Sequence, residues 1–295
     1  MSLSVLGTRS AAIRLLTIMV LSGPLALGTA SSASAADDEL KLKYHLYSFG
    51  LKVATLNFDI NVRGKSYKAR TKMKTKGLVN FIKSTAFTAT ASGRLAKNGL
   101  QPRSFKVTTK SSKKGERKAA ITWNKKRIPS IERSYHRDDY KVAAVAEKIR
   151  PNMPDPLTAL LSATFQTSES LCRDNYRILD GKTIYDIKYR LVNKDNFGDD
   201  DAGVYRGAAF KCEITYRPVA GLSRKKWAKL KAQKNKGVQT FIVWMAPVKS
   251  AASAASYFVP VGAVAQLGRN KVYAYLMRAS LSGQPLNERS KVAKR

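Results

Sequence analysis

The sequence predicts an all-β fold with minor α: a strongly curved antiparallel sheet or open half-barrel, covered by one or two short helices and stapled by one disulfide. Three observations predict it. Apolar and polar residues alternate along most of the chain with the period of two that half-buried strands show. Glycine-based turn signals recur between the alternating runs. Helical spacing of apolar residues is concentrated near the centre of the chain, between Asp138 and Phe165.

The strands follow in order. In "LKLKYHLYSFG", Leu40, Leu42, Tyr44 and Leu46 alternate with Lys41, Lys43 and His45, and Gly50 ends the run. Next, Leu56, Phe58, Ile60 and Val62 share one face, and Asn57, Asp59 and Asn61 take the other. Leu51 and Val53 are in the opposite phase, which predicts a bulge near Ala54-Thr55. "KSYKARTKMKT" is a third, polar strand, and "GLVNFIKS" a helical or looped break. "TAFTATASGRL", "PRSFKVTTKSS" and "RKAAITWNKKR" continue the meander, turning at Lys97-Asn98-Gly99 and at "KKGE".

The centre changes period. "DDYKVAAVAEKI" and "PDPLTALLSATF" carry helical spacing, and Pro156 suits the first turn of a helix capped by Asp155. Leu157, Leu160, Leu161 and Phe165 form a stripe that packs on a sheet. Strands then resume with a hairpin around Asp180-Gly181. Tyr185, Ile187, Tyr189 and Leu191 point one way along it, as do Phe210, Cys212, Ile214 and Tyr216 along the next strand. "VQTFIVWMAPV", "ASYFVPVGAVAQLG" and "NKVYAYLMRAS" complete the set. "KDNFGDDDAG" is an acidic loop that misses the pattern of a calcium loop, so a solvated turn is expected there.

The first 36 residues have the layout of a cleaved signal peptide. Arg9 and Arg14 precede the apolar run "LLTIMVLSGPLALGTA", and Ala33 and Ala35 form an A-x-A pair. The expected organisation is a signal peptide at 1–36, a single β domain at 37–280 and a flexible basic tail at 281–295. The expected location is the periplasm, with no transmembrane span in the mature chain. In an exported chain the two cysteines, Cys172 and Cys212, read as a disulfide.

With 54 basic and 20 acidic residues, the net charge is +34. A charge of this size favours polyanions. In an exported protein these are anionic envelope components: lipid headgroups, lipopolysaccharide or peptidoglycan; nucleic acid is not an expected partner. The densest stretch is "GLSRKKWAKLKAQKNKG". A helix from Ser223 would place Trp227 and Leu230 on one face, too little apolar surface for a membrane-surface helix. It reads as a docked connector, or as an anion contact through Lys225, Lys226, Lys229 and Lys231.

No catalytic constellation is legible. G-x-S-x-G, H-E-x-x-H and C-x-x-C do not occur, and His45 and His136 lack a convincing partner. No catalytic residue, metal ligand or cofactor is therefore assigned. Tyr44, Phe58, Trp123, Tyr185, Tyr189, Phe210 and Tyr216 would line the concave side of the sheet, either as filled core or as an apolar groove for an acyl chain or lipoprotein anchor.

The start "YHLYSFGLKVATLNFDI…YKARTKMKTKGLVNFI", the middle "PDPLTALL", the block "C…ILDGKTIYDIKY…YRGAAFKCEITYRPVAGL" and the tail "FIVWMAP…YFVPVGAVAQLG" resemble the domain-of-unknown-function family 3108, over roughly Leu40 to Met277. The resemblance implies a periplasmic all-β protein with a curved sheet like the open half-barrels of envelope lipid and lipoprotein carriers. The expected function is a non-enzymatic envelope protein that binds an anionic amphiphile or an envelope partner. The alternatives are a cell-wall-associated structural protein and an envelope hydrolase.

Overall fold

The computed structural model describes residues 37–75, 85–96, 99–112, 115–198, 203–232, 238–249, 256–267 and 270–285. The signal-peptide stretch, the "GLVNFIKS" break, the Lys97-Asn98 turn and residues 199–202 of the acidic segment lie outside them.

A first meander comprises β1 (Asp38–Ser48), β2 (Leu51–Arg63), β3 (Ser66–Thr75), β4 (Thr85–Ala96), β5 (Gly99–Ser111), β6 (Gly115–Trp123) and β7 (Pro129–Arg133). Two short helices follow, α1 (Asp139–Ala146) and α2 (Pro156–Thr164). A second meander comprises β8 (Asn175–Leu179), β9 (Ile184–Phe197), β10 (Gly207–Ala220), β11 (Gln239–Lys249), β12 (Ser256–Leu267), β13 (Asn270–Leu281) and the two-residue β14 (Gln284–Pro285). The helix α3 (Arg224–Lys231) interrupts it between β10 and β11. All the strands form one antiparallel sheet in the order β7-β6-β5-β4-β3-β2-β1-β13-β12-β11-β10-β9-β8, with β14 paired to β13. The two meanders meet where β1 pairs with β13, and the sheet stays open between β7 and β8.

The expected all-β fold and curved, unclosed sheet are therefore found, with three helices among the described residues rather than one or two. The β1–β2 register shifts opposite Val53, one residue from the predicted bulge. Pro260 and Gly262 sit inside β12 because the ladder there shifts between Trp244 and Met245, leaving Val261 as the extra residue. Sequence patterning missed β7, a five-residue strand that opens on Pro129 and ends on the adjacent charges Glu132 and Arg133. Asp195 is not in a loop: it pairs with Ala209 near the end of β9, because the sheet's hydrogen bonds carry the strand to Phe197. Gln284 and Pro285, in the stretch expected to be tail, turn back onto β13.

The helix α2 is set against the inner face of the sheet. Asp155 caps it, accepting from the backbone N–H of Leu157 at 2.9 Å and of Thr158 at 3.0 Å, with Pro156 in the first turn. Leu157 and Leu161 are buried, and Phe165 meets Tyr257 edge-on at 5.3 Å.

The segment leading into α2 also spans the gap between the sheet's two edges. On one side Asn152 N–H donates to Arg127 O at 3.0 Å, and the Trp123 indole N–H to Met153 O at 3.1 Å. On the other, Leu179 N–H donates to Pro154 O at 3.0 Å. Arg133 adds a 2.7 Å bond to Gly181 O, and Arg137 bonds Lys182 O and Gly221 O, each at 2.6 Å.

Candidate functional site

Between α2 and the inner face lies an apolar cavity of about 160 Å³. Leu160, Ala163 and Thr164 line it from α2, and Leu42, Tyr44, Leu56, Phe58 and Ile60 from β1 and β2. Tyr189, Cys212, Ile214, Val243 and Met245 come from β9, β10 and β11, and Pro260, Ala263 and Ala274 from β12 and β13. Thr164 and the two tyrosines bring the hydroxyls of this lining.

The tyrosines are held by the sheet. Tyr44 donates its hydroxyl to Pro260 O at 2.7 Å across the β1–β13–β12 seam, and its ring meets Phe58 edge-on at 5.9 Å. Burial pushes the Tyr44 hydroxyl pKa up, so the group stays a neutral donor. Tyr189 meets Tyr176 edge-on at 6.0 Å, and burial raises its pKa to about 12. The cavity surface therefore offers apolar contact and no charge. A lining of this kind suits contact with a small apolar group.

The seven sequence-predicted aromatics do not form one surface. Tyr44, Phe58 and Tyr189 line the cavity. Trp123 is bound to the segment that enters α2. Tyr185 and Tyr216 lie against each other at 4.9 Å, in an apolar cluster with Ile178, Ile187 and Ile214. Phe210 meets Phe258 at 5.6 Å beside the disulfide. The cavity's aliphatic walls, above all Val243, Met245, Ala263 and Ala274, were not singled out from sequence. Their alternation is that of any inward-facing strand residue.

Cys172 and Cys212 form the expected disulfide, with Cα atoms 5.8 Å apart. It ties the segment after α2 to the middle of β10, so one wall of the cavity is covalently fixed to the helix that lines it.

The helix α3 begins at Ser223, whose hydroxyl accepts from the Lys226 N–H at 3.3 Å. Trp227 and Leu230 are half-buried, while Lys225, Lys226, Lys229 and Lys231 are exposed. The Arg224 guanidinium lies 4.8 Å from the ring centre of Tyr140, which connects α3 to α1. The four lysines are close in sequence, and none of them lines the cavity.

A second cleft, of about 680 Å³ and mixed polar and apolar lining, lies where Leu95, Ala96, Gly99 and Leu100 approach Asn152 to Tyr176. Asp174 stands in it, accepting from the Tyr176 hydroxyl at 2.5 Å and from Gln166 Nε2. Among the described residues no group of three or more His, Cys, Asp or Glu side chains is placed to hold a metal ion. None of the described helices is long and apolar enough to cross a membrane.

Residues 43–252 match the model of a family described as Protein of unknown function (DUF3108), a shorter span than the resemblance over Leu40 to Met277 anticipates. The chain is also similar to a crystal structure of a beta-barrel-like protein of domain of unknown function DUF1849 from Brucella abortus. The two are 9% identical, with a TM-score of 0.46 over 85% of this chain and 98% of that one. No curated protein matches the chain.

Proposed function

The chain belongs to the DUF3108 family, and from that premise we propose that it is an exported, non-enzymatic envelope protein whose cavity takes the apolar end of an anionic amphiphile. One observation carries this reading: the cavity of about 160 Å³ between α2 and the sheet, lined almost throughout by aliphatic and aromatic side chains. Ligand pockets that enclose a whole small molecule run to roughly 300–1,000 Å³, so this one suits the end of an acyl chain rather than an entire lipid. The leader-like first 36 residues support export, and the Cys172–Cys212 disulfide supports an oxidising compartment. The excess of Lys and Arg supports an anionic headgroup.

The test is recovery of bound lipid. Mass spectrometry of the protein purified from its host should find an amphiphile, and Ala263→Phe, which fills the cavity, should remove it. Recovery of no lipid, together with failure of an apolar fluorophore to bind the wild-type protein, overturns the reading.

A further inference from the structure

The β1–β2 hairpin closes through a two-residue loop, Phe49-Gly50, between the paired residues Ser48 and Leu51. Both loop residues have positive φ, +51° at Phe49 and +72° at Gly50. Such loops favour Asn-Gly or Asp-Gly, because positive φ is costly for a residue with a bulky side chain. The sequence instead places Phe there, 79% exposed, with Leu51 beside it at 56%. A strained position that displays an aromatic ring to solvent points to a function for the ring rather than for the turn.

Next to the hairpin, β3 presents an unbroken cationic stripe. Lys68, Arg70, Lys72 and Lys74 are exposed on its outer face, opposite buried Tyr67, Ala69 and Thr71. Among the described residues no ion pair engages any of the four. Lys74 pairs in register with Thr55 of β2, so the stripe runs up toward the hairpin tip. Lys74 lies level with Thr55 and His45, so Phe49 projects beyond the stripe by about 13 Å, four residues of β1 at strand rise. That exceeds the Debye length of about 8 Å at physiological salt, so the stripe meets headgroup charge where the outer face of the sheet leans onto the surface beside the tip.

We infer that the β1–β2 hairpin tip and the β3 stripe together dock on an anionic lipid surface, with Phe49 and Leu51 entering the interface and the cations meeting the headgroups. A soluble polyanion would use the charges and leave Phe49 without a role. The stripe itself carries no aromatic side chain on which a nucleic-acid base could stack. By contrast, α3 carries comparable charge, but its apolar residues Trp227 and Leu230 are half-buried against the protein. The docking surface is independent of what occupies the cavity. Vesicle binding reads the one and bound-lipid recovery the other, and Ala263→Phe should leave vesicle binding intact.

The experiment measures partition of the purified protein onto phosphatidylcholine vesicles with and without phosphatidylglycerol. Wild type should bind only the anionic vesicles and release with salt. Phe49→Asn suits the loop's backbone, so it should melt no lower than wild type yet bind at least about tenfold more weakly, the value of one buried aromatic ring. Removing three stripe charges in R70Q/K72Q/K74Q should weaken binding by on the order of a hundredfold, at about fivefold per surface cation. A Phe49→Trp probe should shift its emission to the blue on anionic vesicles and not on neutral ones. Phe49→Asn binding as tightly as wild type overturns the inference. So does R70Q/K72Q/K74Q retaining full binding while K225Q/K226Q/K229Q/K231Q loses it. Binding to polyphosphate without any binding to vesicles also overturns it.

Discussion

The hydroxyl of Tyr67 lies 2.7 Å from that of Thr158, and through this contact the third strand holds the helix that lines the cavity. Thr158 gives its own proton to Asp155 Oδ2 at 2.5 Å, so Tyr67 is the donor in the pair. The three side chains form a closed polar chain, with Tyr67 1% exposed and Thr158 and Asp155 fully buried. Tyr67→Phe removes one neutral hydrogen bond from it. The expected cost is about 1 kcal/mol, read from urea unfolding, with the fold retained.

Asp155 makes stability depend on pH. Burial raises its pKa to about 6, against the hydrogen bonds from Thr158 and Leu157, which pull it down. The folded state therefore holds the proton more tightly than the unfolded chain, where the value is about 3.9. The stabilisation is complete below about pH 4 and is lost as pH rises through about 6, to a total on the order of 2–3 kcal/mol. Unfolding free energies of wild type and Asp155→Asn, compared from acid to neutral pH, should show this fall in wild type alone. Parallel curves would contradict the assignment.

Gly93 permits the close approach on which Tyr67 depends. A Cβ there would stand 2.2 Å from Gln101 O and 2.5 Å from the Tyr67 hydroxyl. Gly93→Ala must displace one or both, at a cost of roughly 2 kcal/mol or more. In a double-mutant cycle with Tyr67→Phe the two changes should couple, because they act on the same atoms.

The disulfide closes a loop of 40 residues. The chain-entropy argument puts its contribution at about 4 kcal/mol. Reduction, or the C172A/C212A variant, should lower the denaturant midpoint accordingly. Non-reducing peptide mapping should join Cys172 to Cys212.

Much of this fold was legible because strands buried on one face write a period of two into the sequence. The Asp155 cap, the α2 stripe, the Asp180-Gly181 hairpin and the bulge beside Val53 were readable for the same reason: each is a local arrangement with a local signal. What was not legible is non-local. Nothing in the sequence pattern of β7 marks it as a strand, since Ile131 is its one large apolar residue and it is paired on one side only. The division of the seven aromatics into cavity, α2 anchor and two clusters behind the cavity wall depends on how far the sheet curls, and alternation does not encode that. The exposure of Phe49 was hidden too, since a Phe flanked by strand residues reads as core until the hairpin loop is placed.

One consequence follows from the pairing of β1 with β13. Leu40 finds its partner in Leu281, so the seam cannot close until nearly all the described chain has been made. Each meander can form from neighbours in sequence, but joining them is the most non-local step, and non-local pairing is slow. While β13 is absent, β1 is a sheet edge with its hydrogen-bonding groups unpaired, the kind of edge that invites other chains. Lys43 stands exposed on the outer face of that strand, outside the Lys41–Glu39 ion pair, a charge that opposes pairing with a second copy during the wait.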